Sequence, residues 1–389
     1  MTENALLPPP DYEIFCQVVD NYGDIGVCWR LARSLVRDHG FRVRLWVDDF
    51  VAFSRLCPVF HTAVQQAVVE GVDIRQWTMP LEQLEPAAVV IEAFACTLPE
   101  AHVEAMAARP VAPVWINLAY LSAEDWVSGC HGLASPHPSQ PLTKHFFFPG
   151  FDVAGGGLLR ETGLIAARDS FLQQDGRAAW MATNEVALPA ADTLIVSLFA
   201  YEQPGLTDLV EIWVRSSRPV LLLVPEGRVL GDLARAFGVL GLSAGARLRK
   251  GSLSLAVLPF TDQDAYDRLL WVSDLNFARG EDSFVRAQWA GKPFVWHIYA
   301  QDDEAHFDKL DAFLQRYRAG LDPAAAEALV AFWHAWNGRG VPAAAWSAFA
   351  EGLPVIGPHA ENWGLSQAAM PDLAMRLTQF CNHIVDARG

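Results

Sequence analysis

Asp274-Leu-Asn-Phe-Ala-Arg-Gly-Glu-Asp-Ser-Phe-Val-Arg-Ala-Gln-Trp-Ala-Gly-Lys-Pro-Phe-Val-Trp-His-Ile-Tyr299 decides how the rest of the chain is read. It begins as a short apolar strand, passes through the polar loop Arg279-Gly-Glu-Asp-Ser283 and continues with helical spacing over about 284–290. A Gly-Lys-Pro stop and a second apolar strand follow, which gives a β-loop-α-loop-β unit. Ser283 is a suitable N-cap, and the backbone N–H groups of Phe284, Val285 and Arg286 would then point back at the loop as an anion site. Glu281 and Asp282 stand beside that site. They would repel a bare phosphate unless they face hydroxyls, so the combination describes a nucleotide or a nucleotide-sugar. The competing reading is an Arg279–Glu281 ion pair, with Ser283 merely capping the helix.

Upstream, the same alternation continues. Residues 192–199 read as a strand, 206–215 as a helix, 219–224 as a strand, 230–237 as a helix, 253–258 as a strand and 262–270 as a helix. With 274–299 they make a doubly wound sheet. Phe199, Tyr201 and Tyr266 stand near strand ends, where a flat base can stack; core packing is the alternative for each. Asp262-Gln-Asp264 has the form of a metal-binding Asp-x-Asp, but it opens a helix after a strand and is read as its cap, so no metal is assigned. Beyond Tyr299, helices are expected at 308–318, 324–336, 343–351 and 371–385.

The N-terminal half opens in the same manner, with a strand over 12–19, the loop Asp20-Asn-Tyr-Gly-Asp-Ile-Gly26, a helix over 27–36 and a strand over 41–47. Strands at 87–94 and 113–118 and a helix at 101–108 continue it. Functional residues of such sheets sit in loops after the carboxyl ends of strands, where Asp20 and Asp24 stand. Gly23 and Gly26 let the backbone turn and approach a bound molecule, although Gly-x-x-Gly is only a fragment of the dinucleotide fingerprint. The alternative is that Asp20 caps the turn and Asp24 the helix. Segment 155–185, beginning Gly155-Gly-Gly157, reads as the passage between domains. The fold is therefore expected to be α/β, with two Rossmann-like doubly wound domains facing across a cleft. Their expected bounds are 1–180 and 181–370, with the last helix, about 371–389, able to pack back on the first.

Composition narrows the partners. The chain has 389 residues, of which 52% are hydrophobic, with 14 Trp and 22 Phe, enough for two large cores. No stretch approaches the roughly 18 apolar residues of a membrane span, and residues 1–10 lack the basic region and apolar core of a signal peptide. A cytoplasmic protein is expected, with no membrane partner. Net charge is −16, from 45 acidic against 29 basic residues without a dense Lys/Arg run, so nucleic acid is not an expected partner. Cys16, Cys28, Cys57, Cys96, Cys130 and Cys381 are scattered without a CxxC, and His131, His137 and His145 have no metal-site spacing.

Two long motifs carry a family resemblance. Val18-Val-Asp-Asn-Tyr-Gly-Asp-Ile-Gly-Val-Cys-Trp-Arg-Leu-Ala-Arg33 and Asn276-Phe-Ala-Arg-Gly-Glu-Asp-Ser-Phe-Val-Arg-Ala-Gln-Trp-Ala-Gly-Lys-Pro-Phe-Val-Trp296 closely resemble the EarP family of bacterial protein-arginine rhamnosyltransferases that modify translation elongation factor P. The similarity extends through essentially the whole chain. It implies a GT-B fold with an acceptor-binding N-terminal domain and a C-terminal domain binding dTDP-β-L-rhamnose. It also implies inverting transfer to one arginine of elongation factor P, without cofactor or metal. The family's catalytic aspartate falls on Asp20, its second essential aspartate on Asp24 and its essential glutamate on Glu281. Donor contacts fall on Phe199, Tyr201, Gln263, Tyr266, Asp282 and Ser283. Arg279 and Gly280 from the same loop, and Asn21, Tyr22 and Gly23 beside Asp20, complete the expected substrate-binding set. Tyr266 stands where relatives are expected to carry phenylalanine, and either ring can stack on thymine. Without the resemblance, the residues describe a two-domain binder of a nucleotide or nucleotide-sugar. A GT-B enzyme with a small or lipid-linked acceptor, or a non-enzymatic nucleotide-binding protein, would share those features.

Overall fold

The computed structural model describes residues 10–18, 22–78, 85–94, 96–301 and 303–388. The chain divides into two compact units, Met1–Thr162 with Met370–Gly389, and Gly163–Ala369.

The first unit runs β1 (Tyr12–Cys16), α1 (Gly23–Arg37), β2 (Val43–Val47), α2 (Phe50–Leu56), β3 (Gln66–Val69), β4 (Val72–Gln76), β5 (Val89–Ala93), α3 (Glu100–Ala107), β6 (Val114–Leu118), α4 (Trp126–Cys130), β7 (Ala134–Pro136) and β8 (Thr143–Phe147). Among the described residues these strands form one sheet in the order β3-β4-β2-β1-β5-β6-β8-β7. The strands from β4 to β8 pair in parallel, while β3 and β7 are antiparallel edges. Without those edges the order is Rossmann-like, and its direction reverses between β1 and β5, where sheets of this kind bind ligands beyond the carboxyl ends. β1, β2, β5 and β6 are buried along their whole length, as parallel strands covered on both faces must be.

One face of this sheet carries buried charge. Glu13 accepts hydrogen bonds from Arg44 Nη1 (2.8 Å), Trp46 Nε1 (2.9 Å) and the Ala87 N–H (3.0 Å), and lies 3.3 Å from His102 Nε2. Burial alone would raise its pKa; the hydrogen bond and field of His102, then the charge of Arg44, hold it at about 2 instead.

The second unit runs α5 (Leu164–Gln173), α6 (Gly176–Thr183), β9 (Leu194–Leu198), α7 (Leu206–Val214), β10 (Val220–Pro225), α8 (Leu230–Phe237), β11 (Arg247–Lys250), β12 (Leu253–Leu258), α9 (Gln263–Val272), β13 (Leu275–Arg279), α10 (Asp282–Trp289), β14 (Phe294–His297), α11 (Ala305–Tyr317), α12 (Pro323–Trp336) and α13 (Pro342–Ala368). Its sheet has the order β11-β12-β10-β9-β13-β14, parallel except at β11, and reverses between β9 and β13. Two polar side chains inside it pair with neighbours: Ser197 donates to Asn276 Oδ1 across the strands (2.6 Å), and Asn276 Nδ2 donates to the Leu270 carbonyl (3.1 Å).

A last helix, α14 (Leu373–Asp386), belongs to the first unit. Leu373 N–H donates to the Leu158 carbonyl (3.0 Å), Arg376 Nη1 donates to the carbonyls of Asp152 (2.9 Å) and Val153 (3.1 Å), and Phe380 packs on Phe147 (5.6 Å between centroids). Gly157 permits this approach, because its φ is +74° and a Cβ there would stand 2.8 Å from the Pro371 carbonyl.

Three expectations are corrected. Segment 155–185, read as the passage between domains, carries α5 and α6 from Leu164 onward, whose Phe171, Trp180 and Met181 join the apolar layer with Leu221, Leu223 and Leu269. The helix expected at 343–351 runs on for 27 residues through Pro354 and Pro358. The helix expected from residue 27 begins at Gly23, so Asp24 lies within its first turn. No helix among the described residues is long and apolar enough to cross a membrane.

Candidate active site

The second unit gathers its polar loops at the carboxyl ends of β9, β13 and β14. Arg279 closes β13, and Gly280, with φ +65°, turns the chain so sharply that α10 starts at Asp282. Ser283 is therefore not the N-cap expected from the sequence; that position is Glu281, whose side chain makes no capping bond. Ser283 Oγ instead accepts from the Arg279 N–H (3.1 Å) and donates to the Arg279 carbonyl, so it ties strand end to helix. The first turn of α10 is Asp282 to Phe284 rather than Phe284 to Arg286, since Val285 N–H already donates to the Glu281 carbonyl.

The loop is held from three directions. Gln263 Nε2, at the start of α9, donates to Asp282 Oδ2 (3.1 Å). Trp296 Nε1 on β14 donates to the Gly280 carbonyl (2.9 Å), and its ring stacks on Phe284 (4.0 Å, 13°). Arg286 grips Asp267 with two bonds, Nε to Oδ1 (2.8 Å) and Nη2 to Oδ2 (2.5 Å), both side chains being buried. That fork clamps α10 onto α9. Asp262 caps α9 by accepting from the Ala265 N–H (2.8 Å), as its sequence context indicates.

Aromatic rings line the site. Phe199 meets Tyr266 edge-on (5.5 Å), and the Arg279 guanidinium lies 4.5 Å from the Phe199 ring and 4.7 Å from that of Tyr201. Both separations are cation–π distances. The Tyr266 ring is partly exposed while its hydroxyl is enclosed, and burial raises that hydroxyl's pKa. His297 ends β14 in register with Arg279 and meets Tyr201 edge-on (5.3 Å, 81°). Burial, and then the charge of Arg279, lower its pKa to about 3, so its imidazole is neutral. The structure thus brings together Phe199, Tyr201, Gln263, Tyr266, Arg279, Gly280, Glu281, Asp282 and Ser283.

In the first unit, Asp24 is buried in the first turn of α1, where the helix dipole favours a negative charge. Tyr22 is the N-cap residue and Gly23 the first helical one. Asp20 and Asn21 lie outside the described residues. Sequence reading assigned no role to His297, Trp296 or the Asp267–Arg286 pair. The available signal was a polar ring ending an apolar strand and an arginine on the inward face of α10.

Comparison with known proteins settles the family. A family model described as elongation-factor P (EF-P) rhamnosyltransferase EarP matches residues 12–382. A protein-arginine rhamnosyltransferase of Pseudomonas putida is 53% identical over 371 residues, covering 95% of this chain and 98% of that protein. One of Pseudomonas aeruginosa is 50% identical with the same coverage, and one of Neisseria meningitidis is 38% identical over 81% of each chain. A solved structure from work on the structural basis for EarP-mediated arginine glycosylation of translation elongation factor EF-P superposes with a TM-score of 0.70 at 39% identity, covering 96% of this chain and 99% of that one. With two Rossmann-like sheets and this similarity along its length, the chain belongs to the EarP family of elongation-factor P rhamnosyltransferases, glycosyltransferases of GT-B architecture.

Proposed function

We propose that the protein transfers L-rhamnose from dTDP-β-L-rhamnose to one arginine side chain of elongation factor P, with inversion at the anomeric carbon. The observation that carries this reading is the family match over residues 12–382, together with the full-length similarity to protein-arginine rhamnosyltransferases. The geometry of the second unit supports the donor half. A nucleobase suits the faces of Phe199 and Tyr266, the diphosphate suits the N-terminus of α10 and the nearby guanidinium of Arg279, and Glu281 and Asp282 suit hydroxyl groups.

The chemistry assigns roles to the carboxylates. An arginine guanidinium, with a pKa above about 12, has no free lone pair and must lose proton density as it attacks the anomeric carbon. Asp20 is the general base in this reading. Asp24 orients the guanidinium or holds the loop, with Asn21, Tyr22 and Gly23 beside them. A single displacement inverts the centre and gives an α-linked rhamnose without an enzyme nucleophile. The departing dTDP gains negative charge, which the N-terminal end of α10 and Arg279 stabilise, and no metal is assigned to this step. Glu281 holds a ribose or rhamnose hydroxyl.

The test is intact-mass spectrometry of elongation factor P after incubation with the protein and dTDP-β-L-rhamnose. The expected gain is one deoxyhexose, about 146 Da, localised to an arginine. No gain, with dTDP binding intact, would overturn the acceptor assignment.

A further inference from the structure

We propose that the carboxyl rim of the first unit's sheet docks the protein that carries the target arginine, through a row of aromatic side chains made of Phe94, Tyr120, Phe148 and Trp126. The proposal rests on the acceptor reading above and adds to it the surface on which elongation factor P is held.

The strands set the row. Ala93 of β5 pairs with Leu118 of β6, and Leu118 pairs with Phe147 of β8, so three neighbouring parallel strands end level with one another. Each runs out into an aromatic residue: Phe94 directly after β5, Tyr120 just beyond β6 and Phe148 directly after β8. Two ring contacts lie along the rim. Phe94 stacks on Tyr120 (4.6 Å, 25°), and Trp126, which opens α4, meets Phe148 edge-on (5.5 Å, 85°). β5 is also the neighbour of β1, with Phe15 paired to Glu92, and β1 leads into the loop that bears Asp20. The row therefore begins beside the strand that feeds the acceptor loop, where the sheet reverses.

Exposure and strain single the row out. Tyr120 is 43% and Trp126 51% exposed, and among the described residues the one other exposed Phe, Tyr or Trp side chain is Tyr299, beside Tyr201 in the second unit. Exposed Trp and Tyr are the residue types that anchor protein interfaces. Phe94 has φ +56°, a left-handed conformation that a bulky side chain rarely adopts, and its N–H donates to the Leu118 carbonyl (2.8 Å), which holds the turn. Strain of this kind clusters at binding sites, where the surroundings fix it. The occupant follows from chemistry and place. An arginine side chain is common to most proteins, so an enzyme that selects one acceptor must also hold that acceptor's body. Net charge of −16, with Asp125 exposed next to Trp126, disfavours nucleic acid or an anionic membrane as the occupant. A second copy of the chain seated here would stand over the carboxyl end of β1, where the acceptor itself has to stand.

The experiment measures the affinity for unmodified elongation factor P and for dTDP by calorimetry, with KM and kcat for elongation factor P, in the wild type and four variants. Sedimentation of the wild type and Trp126→Ala alone gives their oligomeric states. Tyr120→Ala and Trp126→Ala are each expected to raise the Kd and KM for elongation factor P about tenfold while leaving dTDP binding unchanged, and Trp126→Phe to recover most of the loss. Val68→Ala, at an exposed position of the edge strand β3 on the far side of the sheet, should change neither affinity. Wild-type affinity for elongation factor P in either alanine variant would overturn the proposal. So would equal weakening of dTDP, which would make the residue structural, or a dimeric wild type that Trp126→Ala dissociates, which would make the rim a contact between copies. A wild type that binds dTDP but neither binds nor modifies elongation factor P overturns the acceptor reading itself, and the proposal with it.

Discussion

At the residue scale the proposal gives Asp20 and Glu281 different roles, and they are separable by what each mutation spares. Asparagine keeps the shape of Asp20 but cannot accept the proton, so Asp20→Asn is expected to lower transfer at least about 10²-fold while dTDP binding stays at the wild-type level. Loss of nucleotide binding in a folded Asp20→Asn protein would remove its assignment as base. Glu281→Gln, at the N-cap of α10, is expected to lower both turnover and donor affinity. His297 gives a prediction independent of catalysis. Its pKa falls from 6.5 to about 3 on folding, so below about pH 6.5 the unfolded chain binds a proton that the folded one does not. The stability this neutral histidine allows is therefore complete above that pH and lost as pH falls towards 3, at up to about 1.4 kcal/mol per pH unit. Urea unfolding at pH 7 and pH 5 should show the wild type losing about 2 kcal/mol more than His297→Phe; equal losses would mean the imidazole is not held neutral. Asp24, Glu281 and the donor-side rings were legible in the sequence as residue types near strand ends. His297 was not, because its neutrality is set by burial and a neighbouring guanidinium, and neither leaves a trace in spacing.

At the scale of elements, the opening stretch was legible as strand, loop, helix and strand because its apolar residues switch period at a Gly-containing loop and stop at Gly-Lys-Pro. The start of its helix was misplaced by two residues, since Gly280 turns the chain faster than a serine cap predicts. α13 runs past the expected end at 351 and through two prolines, each of which removes an N–H and normally ends a helix. Tertiary packing overrides this here, with Trp346 against Trp213 (5.3 Å), Phe349 stacked on Phe332 (4.5 Å) and Trp363 Nε1 donating to Gln288 Oε1 (2.8 Å). The edge hairpins β3–β4 and β7–β8 were missed because their short strands show too little apolar alternation. The Asp267–Arg286 clamp shows how elements position the site. Removing one partner of a buried pair leaves an uncompensated charge, so Arg286→Met is expected to cost about 3–5 kcal/mol in urea unfolding and to weaken dTDP binding by loosening α10 from α9. Converting both residues to apolar ones should recover much of the stability. A single substitution without effect on either quantity would show that the clamp does not hold the loop.

Across the whole molecule one device appears twice: the winding of each sheet reverses, between β1 and β5 in the first unit and between β9 and β13 in the second, and frees the carboxyl-end loops for binding. The sequence betrays this repetition through its alternating strands and helices, and the two motifs that carry the family resemblance lead out of β1 and β13. An acidic chain of net charge −16 also suits a cationic arginine as the group to be modified, through long-range attraction rather than fold. If the nucleotide is bound by the second unit alone, its effect should be confined there. At about 100 times its dissociation constant, dTDP should add about 2.7 kcal/mol to the stability of the unit that binds it. In hydrogen exchange this should appear as slowed amides at 199–204, 260–266 and 279–284, with β1 and α1 unchanged. Protection that reached α1 with dTDP alone would mean that the first unit also takes part in nucleotide binding, and the division into a donor half and an acceptor half would have to be abandoned.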